Sequence, residues 1–196
     1  TYDPGKEKNE DMKLVVGFAG RFVDWKNWPL AVEIVEKLNE KLAEDLHVKM
    51  VVGCLDKTSK RETLKMFDKL KRELGNRFEG MINQDIYSMD KFYYDIDIFI
   101  LTSKYNSESF GRTLVEAMSR KTVVLTTNSG GSVEVVGKIE NVLNNADQFV
   151  DRIMYFHNNR DKMKLEKQLN LTRVRKKYSL ENNLNKHIKM YNEILN

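Results

Sequence analysis

Several large classes of protein are excluded by what this chain of 196 residues has little of. A single cysteine, Cys54, cannot close an internal disulfide, so nothing points to an oxidising compartment. There are only two prolines, no internal repeat and no low-complexity tract. No apolar run approaches the ~18–20 residues that a membrane span needs, and the start "TYDPGKEKNEDMK" is too charged for a signal peptide. The three histidines, His47, His157 and His187, stand far apart and have no metal-ligand spacing. A net charge of +4 is too mild to imply nucleic acid. The expectation left by these absences is a cytoplasmic protein. Its 41% hydrophobic and 32% charged residues suit one globular domain with a real core.

What is present is alternation. After a polar lead-in over residues 1–12, short apolar runs alternate with helical patterns. "KLVVGFAG" (13–20) predicts a buried strand closed by glycine, and Leu30, Ile34, Leu38 and Leu42 predict an amphipathic helix from Trp28 to Asp45. "HVKMVVG" (47–53) predicts a second strand, and Leu64, Phe67, Leu70 and Leu74 the stripe of a helix ended by Gly75. "RFEGMI" (77–82) reads as a third strand and "SMDKFYYD" (88–95) as a short helix. "IDIFILTS" (96–103) is nearly all apolar, as in a strand buried on both faces. A helix within "NSESFGRTLVEAM" (106–118), a strand "TVVLTTNS" (122–129) and the turn Gly130-Gly131 follow. Then come a short "SVEVV" helix, a weak strand near "IENVLN" and two or three final helices, the last marked by Leu184, Ile188, Tyr191 and Leu195.

This order predicts an α/β fold, a Rossmann-like three-layer domain with a parallel sheet and helices on both sides. In such sheets ligands bind beyond the carboxyl ends of the strands, so the turns 20–27, 53–57, 102–111 and 128–132 are the places to search. In the third of these, backbone N–H groups near Phe110, Gly111, Arg112 and Thr113 open a helix and make an anion site. Glu108 stands at its lip and Glu116 two turns into the helix, where a carboxylate can take vicinal hydroxyls. Donors for phosphate and acids for sugar hydroxyls suit a nucleotide-sugar. A capped helix with Glu116 merely on its surface is the plain alternative. "GRFVDWK" adds Arg21 and Lys26 at the same sheet edge, a fork and a point charge suited to a diphosphate. Trp25 and Trp28 flank Lys26 and read as packing for that loop or as contacts to another domain.

"GRFVDWKNWPLAVEIVEKL", "ILTSKYNSESFGRTLVEAM" and "TTNSGGSVEVV" together resemble the C-terminal, donor-binding half of the retaining glycosyltransferases of group 1, which have the two-domain GT-B fold. Glu108 and Glu116 match that family's acid pair, E-x7-E. The resemblance implies that Arg21 and Lys26 bind the donor diphosphate and stabilise the charge that develops on it. It implies that Glu108 holds hydroxyls of the transferred sugar and its oxocarbenium-like state, that the backbone of Ser109, Phe110, Gly111, Arg112 and Thr113 binds phosphate and sugar oxygens, and that Glu116 takes the ribose. Met81 and Ile82 would lie against the base of a UDP-, GDP- or ADP-sugar. No divalent metal and no other cofactor is implied, because the cations take that role. "DID", Asp95 to Asp97, opens a strand at its far end from the cleft and is no metal motif.

The same resemblance divides the chain into a lead-in (1–12), a donor-binding domain (13–178) and a C-terminal helix (179–196) that packs back on a missing acceptor domain. A chain with one half of such an enzyme would bind donor and transfer little. Four positions and one loop depart from the family's pattern. Asn27 and Lys121 stand for glycines, Val123 and Val133 for prolines, and "GKIENVL" is a thin version of a glycine loop. None removes a charged group. Glu134 reads as a helix-start acid with a structural role, and Cys54 as a small packed residue. The basic stretch from Lys162 to Lys177 reads first as a solvated helix face, and second as a membrane-surface or partner patch. The rival from another class is a non-catalytic nucleotide- or phosphate-binding module.

Overall fold

The computed structural model describes residues 13–195, in which five strands alternate with eight helices. In chain order these are β1 (Leu14–Arg21), α1 (Trp28–Leu42), β2 (Leu46–Gly53), α2 (Lys57–Leu74), β3 (Phe78–Ile82), α3 (Ile86–Asp95) and β4 (Ile98–Leu101). They continue with α4 (Arg112–Ser119), β5 (Val123–Thr126), α5 (Gly131–Val136), α6 (Ala146–Asn158), α7 (Arg160–Lys177) and α8 (Leu180–Leu195). Every ladder is parallel and the strand order is β3-β2-β1-β4-β5. The chain steps outward from β1 on one side and returns to add β4 on the other. The β1/β4 boundary is therefore the switch point where a crevice opens beyond the carboxyl ends.

The strands read as continuous apolar runs because both of their faces are covered. Along β1 and β4, Leu14, Val16, Phe18, Ile98 and Ile100 join α1, α2 and α6 in one core, and Ala19, Phe99 and Leu101 join α3, α4 and α5 in the other. A slip of one residue would exchange the two layers, so the register is strongly specified. Each fully buried Leu, Ile or Phe of these layers contributes about 1.5–3 kcal/mol. At Gly17 a Cβ would stand 2.5 Å from Ile96 Cδ1, and its absence lets the end of α3 close onto the sheet.

Several boundaries differ from the sequence expectation, each for a local reason. The helix from Trp28 ends at Leu42, with 43–45 as a 3-10 turn. Leu64 is 45% exposed, and the buried stripe of α2 runs through Thr63, Phe67, Leu70 and Leu74. α3 starts at Ile86 because the Asp85 carboxylate accepts from the Ser88 N–H at 2.7 Å. β4 and β5 are shorter than their apolar runs, and just past β4 the Thr102 hydroxyl donates to the Lys26 carbonyl, 2.9 Å away. "IENVLN" forms no strand. It holds a 3-10 turn (Ile139–Asn141) and a single bridge from Val142 to Thr126, because the buried Asn141 amide bonds Glu166 and Arg152 instead.

The final two helices treat their polar and apolar faces differently. On α7, Lys167 pairs with Asp97 at 2.6 Å and Arg173 donates to the carbonyls of Val135 and Glu134, while Lys162, Arg175, Lys176 and Lys177 are exposed. On α8, Leu184, Ile188, Tyr191 and Leu195 are all exposed, and no described residue of the helix is buried. No described helix is long and apolar enough to cross a membrane.

Candidate functional site

Three turns that follow neighbouring strands build the site. Arg21 is the last residue of β1, exposed, with its guanidinium carbon 5.8 Å from the centre of the Trp25 ring. The buried Trp28 packs the turn and donates its indole N–H to the Arg21 carbonyl at 3.0 Å, whereas Trp25 stays partly exposed. A 3-10 turn (Asp24–Lys26) then leads to Asn27 at φ 51°, ψ 51°. Glycine adopts that left-handed conformation without strain, and asparagine tolerates it better than most residues.

The second turn, after β4, is stitched to the first. The Lys104 N–H donates to the Trp25 carbonyl at 2.8 Å, and Lys104 pairs with Asp24. This closure places the Lys26 ammonium 2.5 Å from Glu108 Oε1, across 82 residues of sequence. The Ser103 hydroxyl donates to the same oxygen at 2.5 Å. Both ion-pair side chains are largely buried, at 13% and 14% exposure, so the pair is poorly screened by solvent.

The third turn, after β5, holds Glu108 by its backbone. The Glu108 N–H donates to the Ser129 carbonyl at 2.7 Å, and the Gly131 N–H donates to the Glu108 carbonyl at 2.8 Å. Gly130 has φ 101°, and a Cβ on Gly131 would stand 2.1 Å from the Ser109 carbonyl oxygen, so the glycine pair is what lets the two loops touch. The other departures from the family pattern have equally local accounts. Lys121 adopts φ 55°, a left-handed conformation that glycine takes without strain. Val123 donates its N–H to Asp97 at 3.0 Å and Val133 to Gly130 at 3.1 Å, bonds that prolines would lack.

α4 begins at Arg112, with Gly111 at φ 88° as its N-cap and no side-chain cap. Ser109 and Phe110 therefore remain in the loop, the Phe110 ring edge-on to Tyr178 at 5.4 Å. The first N–H groups of α4, on Arg112 and Thr113, carry the positive end of the helix dipole. Glu116 lies one turn into the helix, not two. It is 38% exposed; its Oε2 accepts from the Tyr93 hydroxyl at 2.9 Å and its Oε1 lies 3.4 Å from Arg112 Nε.

Glu116 also lines an open pocket of about 550 Å³ between α3 and α4, together with Gln84, Tyr87, Tyr93, Arg112 and Arg120. Met81 and Ile82 pack partly buried against the two cores, and the pocket lining starts two residues later, at Gln84. Arg112, first in α4, links this pocket to the Glu108 turn. Burial pushes the Tyr93 phenol far up from its ordinary value, and the Glu116 carboxylate beside it adds to the shift.

Ser103 and Tyr93 carry parts of this site that sequence reasoning did not assign. Ser103 had a faint signal, a small polar residue directly after the apolar strand. Tyr93 had none, since "FYYD" reads as core. Asp97 and Asp95 are committed elsewhere, to Lys167 and the Val15 N–H, and to Lys49 and Lys91. The Cys54 thiol is half-buried, 3.3 Å from the Thr63 hydroxyl. Glu134 is exposed, and its carbonyl anchors Arg173.

The fold is shared with known proteins. A probable sucrose-phosphate synthase of Thermosipho melanesiensis is 35% identical over 86 residues, 43% of this chain and 19% of the relative. A glycosyltransferase of Rickettsia africae superposes with a TM-score of 0.75 at 26% identity, over 93% of this chain and 48% of its own. The Anabaena protein Alr3699/HepE, crystallised with UDP and glucose, gives a TM-score of 0.74 at 18% identity, over 92% and 48%. The chain thus spans about half the length of these two structures. The family model for glycosyl transferases group 1 matches residues 2–177, and the chain belongs to that family.

Proposed function

We propose that this chain is the donor-binding half of a retaining glycosyltransferase, one that moves a hexose from a nucleoside diphosphate to an acceptor hydroxyl in glycan, polysaccharide or glycolipid synthesis. The observation that carries the proposal is the Lys26–Glu108 pair at the sheet's switch point, beside the uncapped start of α4. In this reading the diphosphate takes the α4 N-terminus, Arg21 and Lys26, and the nucleoside takes the pocket lined by Glu116. A diphosphate carries more charge than one carboxylate, so it displaces Glu108 from Lys26 as it enters. Glu108 then turns to the hydroxyls of the sugar. As the bond from the sugar's anomeric carbon to the leaving phosphate oxygen breaks, Arg21 and Lys26 stabilise the charge gathering on the diphosphate. Glu108 stabilises the positive charge on the sugar.

Because two cations stand where other transferases use a divalent ion, donor binding is expected to be independent of magnesium. The bare apolar stripe of α8 supports an acceptor domain packed against it, and a chain without that domain binds donor but transfers little. UDP is the first nucleotide to try, since the Anabaena structure of the same fold holds it.

A thermal titration of the chain with UDP, GDP and ADP, with and without magnesium, tests the reading. Ligand at ~100 times its dissociation constant adds about 2.7 kcal/mol, a shift of several degrees. The expected outcome is a response to one base, unchanged by magnesium and lost in Arg21→Ala or Lys26→Ala. A response that survives both substitutions would remove the cations from the site.

A further inference from the structure

Resting on that reading, we propose that Tyr93 is the positioning residue that makes the nucleoside pocket select ribose over deoxyribose, acting through Glu116. Tyr93 is 2% exposed, on the last turn of α3. Its ring is fixed edge-on between Phe92 at 5.2 Å and Phe99 at 5.7 Å, and its carbonyl accepts from the Thr122 hydroxyl at 3.0 Å. Held in this way, the phenol points out of the core and donates to Glu116 Oε2 at 2.9 Å. The phenol remains a proton donor throughout the working pH range, so this bond does not titrate away.

The acceptor count of the carboxylate gives the bond its consequence. An ionised carboxylate offers about four lone-pair sites on two oxygens. Tyr93 takes one on Oε2, and Arg112 lies against one on Oε1. Two sites remain, one on each oxygen, and a vicinal diol needs two acceptors. A glutamate free to rotate at 38% exposure would present its oxygens in several rotamers, and a diol would have to order it first. Tyr93 supplies that order beforehand. A sugar that lacks the 2′-hydroxyl leaves one prepared acceptor unfilled, and the pocket rejects it for that reason.

The test is a calorimetric measurement of UDP and 2′-deoxy-UDP, with the GDP and ADP pairs alongside, on the wild-type chain, Tyr93→Phe, Glu116→Ala and the double variant. A hydrogen bond to a charged group implies a wild-type preference for the ribonucleotide of about tenfold or more. Tyr93→Phe keeps the ring and its packing, and should lower that ratio several-fold while leaving deoxynucleotide affinity nearly unchanged. In the Glu116→Ala background the same substitution should do nothing further, because the two residues act as one unit. Equal weakening of both nucleotides by Tyr93→Phe would mean a structural role only and would overturn the proposal, as would an unchanged ratio. The Glu116→Ala arm decides the matter even if Tyr93→Phe folds poorly. A ratio that survives loss of the carboxylate removes the ribose from Glu116 and Tyr93 alike. A wild-type chain that binds neither member of any pair overturns the donor-site reading itself, a result distinct from binding without a ribose preference.

Discussion

The two acids of "NSESFGRTLVEAM" are held by opposite means. Glu108 sits in a loop and is fixed by charge and backbone. A lysine and a serine meet one of its oxygens, and its own N–H and carbonyl are clamped by the turn after β5. Glu116 sits on a regular helix and is fixed by a neutral phenol rooted in the core, with the rest of the carboxylate open to a pocket. The first arrangement has its partner already in place and, in the proposed function, exchanges it for substrate. The second, in the same proposal, keeps acceptors open for the ribose. A group that must respond to a reacting sugar gains from an exchangeable ion pair, whereas one that only binds gains from being held still.

Exchange at Glu108 makes the largest prediction. In a two-domain form of the enzyme, Glu108→Ala should lower turnover by roughly 10²–10³. Affinity for the nucleoside diphosphate alone should hold or rise, because Lys26 no longer has an internal partner. Steady-state kinetics and calorimetry on the same variant check both halves. Diphosphate affinity that falls in step with turnover would end the idea of exchange.

The backbone clamp makes the next. Gly131→Ala drives a methyl into the Ser109 carbonyl, so the loops must part at a cost of about 1–3 kcal/mol. Denaturant unfolding reads the loss, and nucleotide affinity measured under folded conditions should fall with it. A variant as stable as the wild type would show that the loop contact does not hold Glu108. The smallest effect is expected at Asn27. Left-handed backbone there predicts that Asn27→Ala destabilises by about 1 kcal/mol, while Asn27→Gly is neutral. Equal melting temperatures for the two variants would contradict the turn geometry.

Much of the fold was legible because its signals are local. A strand covered on both faces must be apolar throughout, as β1 and β4 nearly are, and a helix over one face must repeat its apolar residues every three or four positions, as α1 does. Leu64 misled because positions three and four before Phe67 both fit helical spacing, and only the packing chose Thr63. "IENVLN" misled because a short apolar alternation looks the same whether it pairs or is tied down by a buried asparagine. At the site, the turns and the acid spacing were readable, but what each acid touches was not. Lys26 and Glu108 are 82 residues apart, and Tyr93 and Glu116 are 23 apart on different helices.

The sequence by itself determined the α/β class, the places of the turns at the strand ends and the amphipathic stripe of α8, because each follows from periodicity within a few residues. Only the tertiary structure decided that Lys26 rests on Glu108, that a core tyrosine holds Glu116 and that the α8 stripe stands bare. The physical reason lies in the strand order: the chain winds out from β1 and back to β4, and this non-local pairing brings the turns after β1, β4 and β5 to one edge.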